Sequence, residues 1–301
     1  MVVDLISKAI GKEKVFVDEP MAFHTTFKIG GAADILIEPA NKDEIIETLK
    51  ILKKFDIPYF VMGNGSNILV SDKGIRGAVI KISKLMQEST CSANTIKAGA
   101  GIKLSRIANT ALNNSLTGFE FAGGIPGTLG GALFMNAGAY GGEMKDVVKE
   151  VTYIDTDTLE INTVSGDMCE FGYRKSIFSR GNTIITDAEI ELSKGNYDEI
   201  KAKMSELSNR RCEKQPLEKP SAGSTFKRPE GYFAGALIQQ SNLMGYRIGG
   251  AMVSTKHAGF VINEDKATAE DVLNLIEHIK TVVYKNFKVE LEPEVRLVGE
   301  F

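Results

Sequence analysis

The stretch Gly118–Gly142, GFEFAGGIPGTLGGALFMNAGAYGG, is the densest run of glycine in the chain, yet it also carries Phe119, Phe121, Ile125, Leu129, Leu133 and Phe134. Glycine loses more backbone entropy on folding than any other residue, so clustered glycines mark places where a Cβ would be in the way. No charge interrupts the stretch between Glu120 and Glu143. That combination points to backbone N–H groups turned towards a large anionic ligand. Thr128 to Phe134 reads as the start of a helix, where a pyrophosphate would meet free amides and the positive end of the dipole. A tight set of buried turns is the plainer alternative.

Working outward, the 301 residues suit about two domains, with three small ones possible. The chain is 43% hydrophobic and 25% charged, ordinary for a soluble globular protein. A net charge of −3 argues against a nucleic-acid partner. No apolar run approaches the ~20 residues of a membrane span, and the N-terminus lacks the basic and apolar regions of a secretory signal. Cys91, Cys169 and Cys212 are far apart, with no CxxC pair, and three dispersed histidines complete the thiol and imidazole inventory. Neither a disulfide framework nor a metal site is expected, and reduced cytoplasmic thiols are the simplest reading.

Before the glycine stretch, residues 2–10 read as a short helix and Met21–Gly31 as a loop. Ala33–Pro39 reads as a strand. Asn41 and Glu44 form the signature of a capping box, followed by an apolar face of Ile45, Ile46, Leu49, Leu52 and Phe55. A strand at 58–62 runs into Gly63-Asn64-Gly65-Ser66-Asn67, with strands at 68–70 and 78–82, a βαβ-type start. A second unit holds a strand at 95–98, a helix at 104–112 and strands at 147–155, 161–164 and 183–192. The last of these alternates through Ile184, Thr186, Ala188, Ile190 and Leu192. A polar helix at 197–213 leads to the loop Ser221–Ser224. Then come a short helix at 235–241, a strand at 259–263, and a helix capped by Thr268 and Asp271. The closing strand, 289–298, is expected to place Val289, Leu291, Val295 and Leu297 on one face.

The loop Gly63–Ile68 begins like a dinucleotide fingerprint but has Ile68 in place of the third glycine, and a strand follows it where a helix belongs, so the Rossmann reading fails. Gly124–Gly130 is no Walker loop, because no Gly-Lys-Ser/Thr closes it. Two glycine loops on two successive α/β units still imply a long ligand, and a dinucleotide such as FAD clamped between two lobes fits. Arg174, set among aromatics in FGYRKS, suits a cation–π contact or a carboxylate fork, or is an exposed loop arginine. Ser224 lies in AGSTFKR without a hydrolase elbow, and reads first as a turn hydroxyl. Glu294, in ELEPEVRL, reads by pattern alone as part of a solvated edge.

Together, GNGSNILV, AGGIPGTLGGALFMNAGAYGGE, CEFGYRKSIF, AGSTFKRP, GGAMVSTKHAGFVINE and LEPEVRLVG resemble, in order and spacing, the UDP-N-acetylenolpyruvoylglucosamine reductases. These are flavoenzymes of peptidoglycan precursor synthesis. The resemblance covers nearly the whole chain from Met21 onward. It implies an α+β, vanillyl-alcohol-oxidase-like FAD fold in three parts. These are residues 1–84 joined by 288–301, residues 85–215, and a substrate domain at 216–287. It also implies a noncovalent FAD, with NADPH as hydride donor. The cofactor contacts would come from Thr25, Gly30, Gly63, Asn64, Gly65, Ser66, Asn67, Ala122, Gly123, Gly124, Ile125, Gly127, Thr128, Gly130 and Gly131.

On this resemblance the enolpyruvyl ether of UDP-N-acetylglucosamine receives hydride at C3 and a proton at C2. Arg174 and Glu294 match the family's charge-stabilising pair, and Ser224 its proton donor. Tyr173, Arg211, Lys214, Lys227 and His257 are the expected substrate contacts, Arg211 and Lys214 for the pyrophosphate. A cytoplasmic monomer without metal, membrane or nucleic-acid partner is expected. Some members insert a tyrosine-bearing loop after the Tyr-Arg-x-Ser segment. Here Phe178–Asn182 runs almost directly into the next strand, which marks the shorter variant. Rival readings are an oxidase of the same flavin fold and a catalytically silent nucleotide-binding protein.

Overall fold

The computed structural model describes residues 1–301, which divide into two compact units. The first holds Met1–Phe16, Ile35–Asn64 and Ala78–Arg211, and the second Val17–Asp34, Gly65–Gly77 and Cys212–Phe301. No helix is long and apolar enough to cross a membrane.

In the first unit, α1 (Val2–Ile10) buries Ile6 and Ile10, and α2 (Lys42–Lys54) buries Ile45, Leu49 and Leu52. Each side chain so buried is worth about 1.5–3 kcal/mol over its exposed state. Asn41 Oδ1 accepts from Glu44 N at 3.0 Å. The expected reciprocal bond is diverted, because the Glu44 carboxylate accepts from Ala40 N at 2.8 Å and from Lys14 Nζ at 2.6 Å. The sheet beside α2 has the order Val15–Pro20, Ala32–Ile37, Ile75–Lys81, Tyr59–Met62. The strands joined by α2 are therefore not neighbours: Ile75–Lys81 lies between them and runs parallel to Tyr59–Met62. The simple βαβ expectation is corrected to one with an intervening strand.

The larger sheet of this unit is antiparallel throughout, in the order Ile161–Ser165, Val148–Asp155, Thr183–Glu191, Thr95–Gly99, Ser89–Ser92. Ile184, Thr186, Ala188, Ile190 and Leu192 are all buried, as their alternation requires. They share one core with α3 (Leu104–Asn113) and α4 (Leu129–Phe134). α5 (Tyr197–Lys214) is mostly exposed, with Ile200, Leu207 and Arg211 as its buried stripe. Between the expected short segment's ends, Ile177–Arg180 makes a single 3₁₀ turn. Burial raises the Cys169 thiol to about 11, and all three cysteines are free.

The second unit packs α6 (Ala234–Gln240) and α7 (Ala269–Phe287) around Phe27, Leu69, Phe226, Val253, Val261, Leu291 and Val295. A three-stranded antiparallel sheet runs Arg247–Ile248, Ala251–Val253, Val261–Asn263. The chain end departs from its expected continuous strand. Only Arg296–Val298 is a strand, pairing in parallel with Ile68–Val70. Pro293, which has no N–H, makes an isolated bridge to Phe226. The alternation therefore slips, and Leu297 is 50% exposed while Val298 is buried.

The start of α7 is fully satisfied. Thr268 Oγ1 accepts from Asp271 N, and Asp271 Oδ2 accepts from Thr268 N and Gly250 N, each at 3.0 Å. Asp72 takes the two remaining amides, Ala269 N at 2.9 Å and Glu270 N at 3.1 Å. Four orphan donors at a helix start are thus met by two carboxylates and one hydroxyl. Replacing Thr268 by Ala is expected to destabilise the protein by about 1 kcal/mol, read as a lower denaturant midpoint. An unchanged midpoint would show that Asp72 alone suffices.

Candidate active site

In the first unit the two glycine loops meet. Asn64 Nδ2 donates to Pro126 O at 2.8 Å. A Cβ on Gly63 would stand 2.3 Å from Thr128 Oγ1, so only glycine admits this approach. Thr128 is buried, and its hydroxyl has no hydrogen-bond partner. A buried, unsatisfied hydroxyl calls for a partner, and the N–H groups of Gly127 and Thr128 likewise donate to no protein acceptor. A bare-backbone wall, a spare hydroxyl and spare amides fit a phosphate-bearing cofactor such as FAD.

The expected role of α4 changes. Its first amides are not free: Leu129 N donates to Ile102 O and Gly130 N to Ala100 O, both at 2.9 Å. The helix is also only six residues long, so the anion-binding capacity lies in the loop before it. Arg211 sits on the same stretch. It is 9% exposed, donates from Nη1 to Gly124 O at 2.6 Å, and its Nε is buried without a partner. Arg210 and Arg211 lie 5.3 and 5.6 Å from the Tyr140 ring centroid, a cation–π arrangement that keeps both guanidinium groups beside the glycine stretch. Arg174 occupies a tight turn closed by Gly172 and Lys175, and stands 5.0 Å over the Tyr173 ring, as its aromatic neighbours suggested.

In the second unit four separate segments converge. Thr26 N donates to Gly65 O at 3.1 Å, and its hydroxyl to Ser221 O at 2.7 Å. Thr25, buried, closes its own loop by donating to Ile29 O at 3.1 Å. Asn67 Nδ2 donates to Glu294 O at 3.2 Å, and Arg296 N to Asn67 O at 3.0 Å. Glu294 N in turn donates to Thr225 O at 2.8 Å. Ser224 and Glu294 are thus brought onto neighbouring antiparallel segments, 70 residues apart in sequence. Ser224 itself is exposed. Its neighbour Thr225 is buried and fixed by Gly259 O at 2.9 Å and by Val261 N on its hydroxyl at 2.9 Å.

The remaining expected contacts have defined surroundings. Lys227 is ion-paired with Glu292, and Lys214 is exposed near the end of α5. A cleft of about 510 Å³ opens beside Gly30 and Gly31, bordered by Lys28, Asp72 and Lys266. His257 is half-buried; its Nδ1 accepts from Gly259 N at 3.1 Å, and its ring meets Phe260 edge-on. Neither Asn136 nor Tyr140 stood out in the sequence beyond membership of the glycine stretch. In the structure Asn136 is buried and bonds Gly172, Glu143 and Lys145, and the Tyr140 ring meets the Arg210 and Arg211 guanidinium groups.

Burial holds the His257 imidazole below its ordinary value of 6.5, partly offset by a backbone hydrogen bond. A depressed folded value means the unfolded chain takes up the proton first. The stability His257 contributes is therefore complete above about pH 6.5 and is lost as the pH falls below it. The His257→Asn variant should lose less of its thermal midpoint than the parent between pH 7.5 and 5.5. Parallel losses would remove His257 as the titrating group.

Residues 33–163 match the family model of an FAD binding domain, and residues 215–298 that of the UDP-N-acetylenolpyruvoylglucosamine reductase C-terminal domain. A UDP-N-acetylenolpyruvoylglucosamine reductase of Caldanaerobacter subterraneus is 54% identical over 300 residues, covering 100% of this chain and 99% of its own. That of Clostridium perfringens is 52% identical over 98% of this chain and 96% of its own. The crystal structure of the Thermus caldophilus enzyme superposes with a TM-score of 0.81 at 33% identity, over 95% of this chain and 98% of that one. With relatives aligned from end to end and the glycine loops and C-terminal segments in their places, the chain belongs to the UDP-N-acetylenolpyruvoylglucosamine reductase family.

Proposed function

We propose that this protein is an FAD-dependent oxidoreductase that uses NADPH to reduce UDP-N-acetylglucosamine enolpyruvate to UDP-N-acetylmuramate, a step of peptidoglycan precursor synthesis. The observation that carries the reading is the hydrogen bond from Glu294 N to Thr225 O, which sets Glu294 beside the Ser224 loop in a chain more than 50% identical, over nearly its whole length, to such reductases. FAD, when bound, would supply hydride transfer between NADPH and the enolpyruvyl group. Protein side chains have no equivalent chemistry. Gly63, Asn64, Gly127 and Thr128 would hold its phosphates and ring system, and Gly65–Asn67 and the Thr25–Gly30 loop are the further expected cofactor contacts.

The other tasks fall to side chains. Hydride addition at C3 leaves an electron pair at C2 that spreads into the adjacent carboxylate. Fixed positive charge and acidic donors stabilise that enolate in the transition state. Arg174 supplies the charge, and Glu294 is its partner in that stabilisation. Ser224 Oγ gives its proton to C2, which completes the lactyl ether and forms one C–H bond on each carbon. A hydroxyl is a weak acid, so the step depends on placement. The anchoring of Thr225 on both sides supports such placement. Lys227 and His257 stand on the same unit as substrate contacts. Lys214 serves the pyrophosphate, while the hold of Arg211 on Gly124 adds support of the cofactor wall to that expected role. Within the two compact units we keep three functional parts, residues 1–84 with 288–301, residues 85–215, and residues 216–287. The enzyme acts as a cytoplasmic monomer.

The two half-reactions separate these roles. In Ser224→Ala, flavin reduction by NADPH should survive within about twofold, while turnover of the enolpyruvyl substrate falls by a factor of at least ~10². Glu294→Gln should show the same split. A common fall of both half-reactions would remove Ser224 as proton donor.

A further inference from the structure

Arg174 adopts a backbone conformation that its own sequence does not impose. Its φ is +54°, in the left-handed region that L-residues other than glycine, asparagine and aspartate seldom enter. It is the third residue of a four-residue turn closed by Gly172 N on Lys175 O at 3.0 Å and Lys175 N on Gly172 O at 3.3 Å. With a positive φ at that place, the turn type favours glycine. A strained conformation of this kind persists only where the surroundings over-determine it.

The surroundings do so through Asn136. This side chain is 1% exposed, and its Nδ2 donates to Gly172 O at 3.1 Å and Glu143 Oε2 at 2.7 Å. Its Oδ1 accepts from Lys145 N at 3.0 Å. Two acceptors face the amide nitrogen and one donor faces the oxygen, so the carboxamide has a single satisfied orientation. On the other side of Arg174, buried Ser176 donates from Oγ to Phe134 O at 2.8 Å. The turn is therefore tied before and after Arg174 to residues 134 and 136. Both lie in the same glycine stretch as Thr128. Asn136 itself has φ +46°, a conformation asparagine tolerates better than most residues.

We propose that Asn136 is a positioning residue for reduction of the enolpyruvyl substrate. Its buried carboxamide holds the Gly172–Lys175 turn and so fixes the left-handed backbone from which Arg174 meets the substrate carboxylate. The inference rests on the function proposed above. It adds a residue that touches neither substrate nor cofactor and acts through Arg174.

The test is Asn136→Asp, which keeps size and tolerance of positive φ but sets a carboxylate against the Glu143 carboxylate and the Gly172 carbonyl. In stopped-flow experiments on the flavin-loaded enzyme, reduction by NADPH should stay within about twofold. Reoxidation by UDP-N-acetylglucosamine enolpyruvate should slow by about 10- to 100-fold, the scale of a small misplacement of a reacting group. Hydrogen exchange offers a readout independent of turnover, in which the amides of Gly172 and Lys175 should exchange at least about tenfold faster. In an Arg174→Ala background the same substitution should add less than about twofold, because both act through one group. Equal slowing of both half-reactions, unchanged reoxidation, or full additivity with Arg174→Ala would each overturn the proposal. Should Asn136→Asp not fold, Ser176→Ala is expected to slow reoxidation selectively, by about threefold or more, and an unselective or absent effect would overturn the proposal. A flavin-loaded parent enzyme that ignores the enolpyruvyl substrate would instead refute the proposed function itself.

Discussion

The constraint on which the glycine wall depends is the close approach of the Gly63 backbone to Thr128. At 2.3 Å from a hypothetical Cβ to Oγ1, no side chain can be added without moving the threonine, and the threonine is itself locked into the larger core through Leu129 and Gly130. The glycines of this region thus have a physical reason beyond turn formation. They bring main-chain amides and a spare buried hydroxyl to one wall, with Asn64 and Arg211 bonding to Pro126 and Gly124 to stiffen it. A cofactor can be held this way without a long helix N-terminus or a Walker lysine, which is why neither standard phosphate motif occurs.

The second unit is ordered by a different set of contacts, which bring distant segments of the chain together. Thr225 is held through its backbone and its hydroxyl, and the Glu294 backbone is held between Thr225 and Asn67. Ser224 is exposed beside this frame of main-chain hydrogen bonds, each worth about 1 kcal/mol net. The pairing of Arg296–Val298 with Ile68–Val70 closes that frame. It ties the chain's last strand, which reads in sequence as a solvated edge, to the strand that follows Gly65–Asn67.

Local signals were legible where local physics decides the outcome. The Thr268–Asp271 box, the alternation from Ile184 to Leu192 and the apolar face of α2 follow from periodicity and capping, and each forms as expected. What could not be read depends on partners distant in the chain. The intervening strand Ile75–Lys81, the slip after Pro293 and the occupied amides of Leu129 and Gly130 are set by tertiary pairing. Arg211 reads as a basic helix end, yet it bonds a carbonyl 87 residues away. The roles of Arg174, Ser224 and Glu294 came from the family resemblance, since pattern alone favoured a loop arginine, a turn hydroxyl and a surface carboxylate. Asn136 carried no signal, because a buried asparagine is recognised by its three partners and not by its neighbours in sequence.

The central claim is that bare backbone at Gly63 and Thr128 holds the hydride carrier. The most direct measurement is the flavin-to-protein ratio, from absorbance, of the purified protein and its Gly63→Ala variant after incubation with FAD. The account predicts about one FAD per chain for the natural sequence and a large loss in a variant that keeps its folded circular dichroism. A natural-sequence protein that stays colourless, or a Gly63→Ala variant that retains its full complement of flavin, would contradict it.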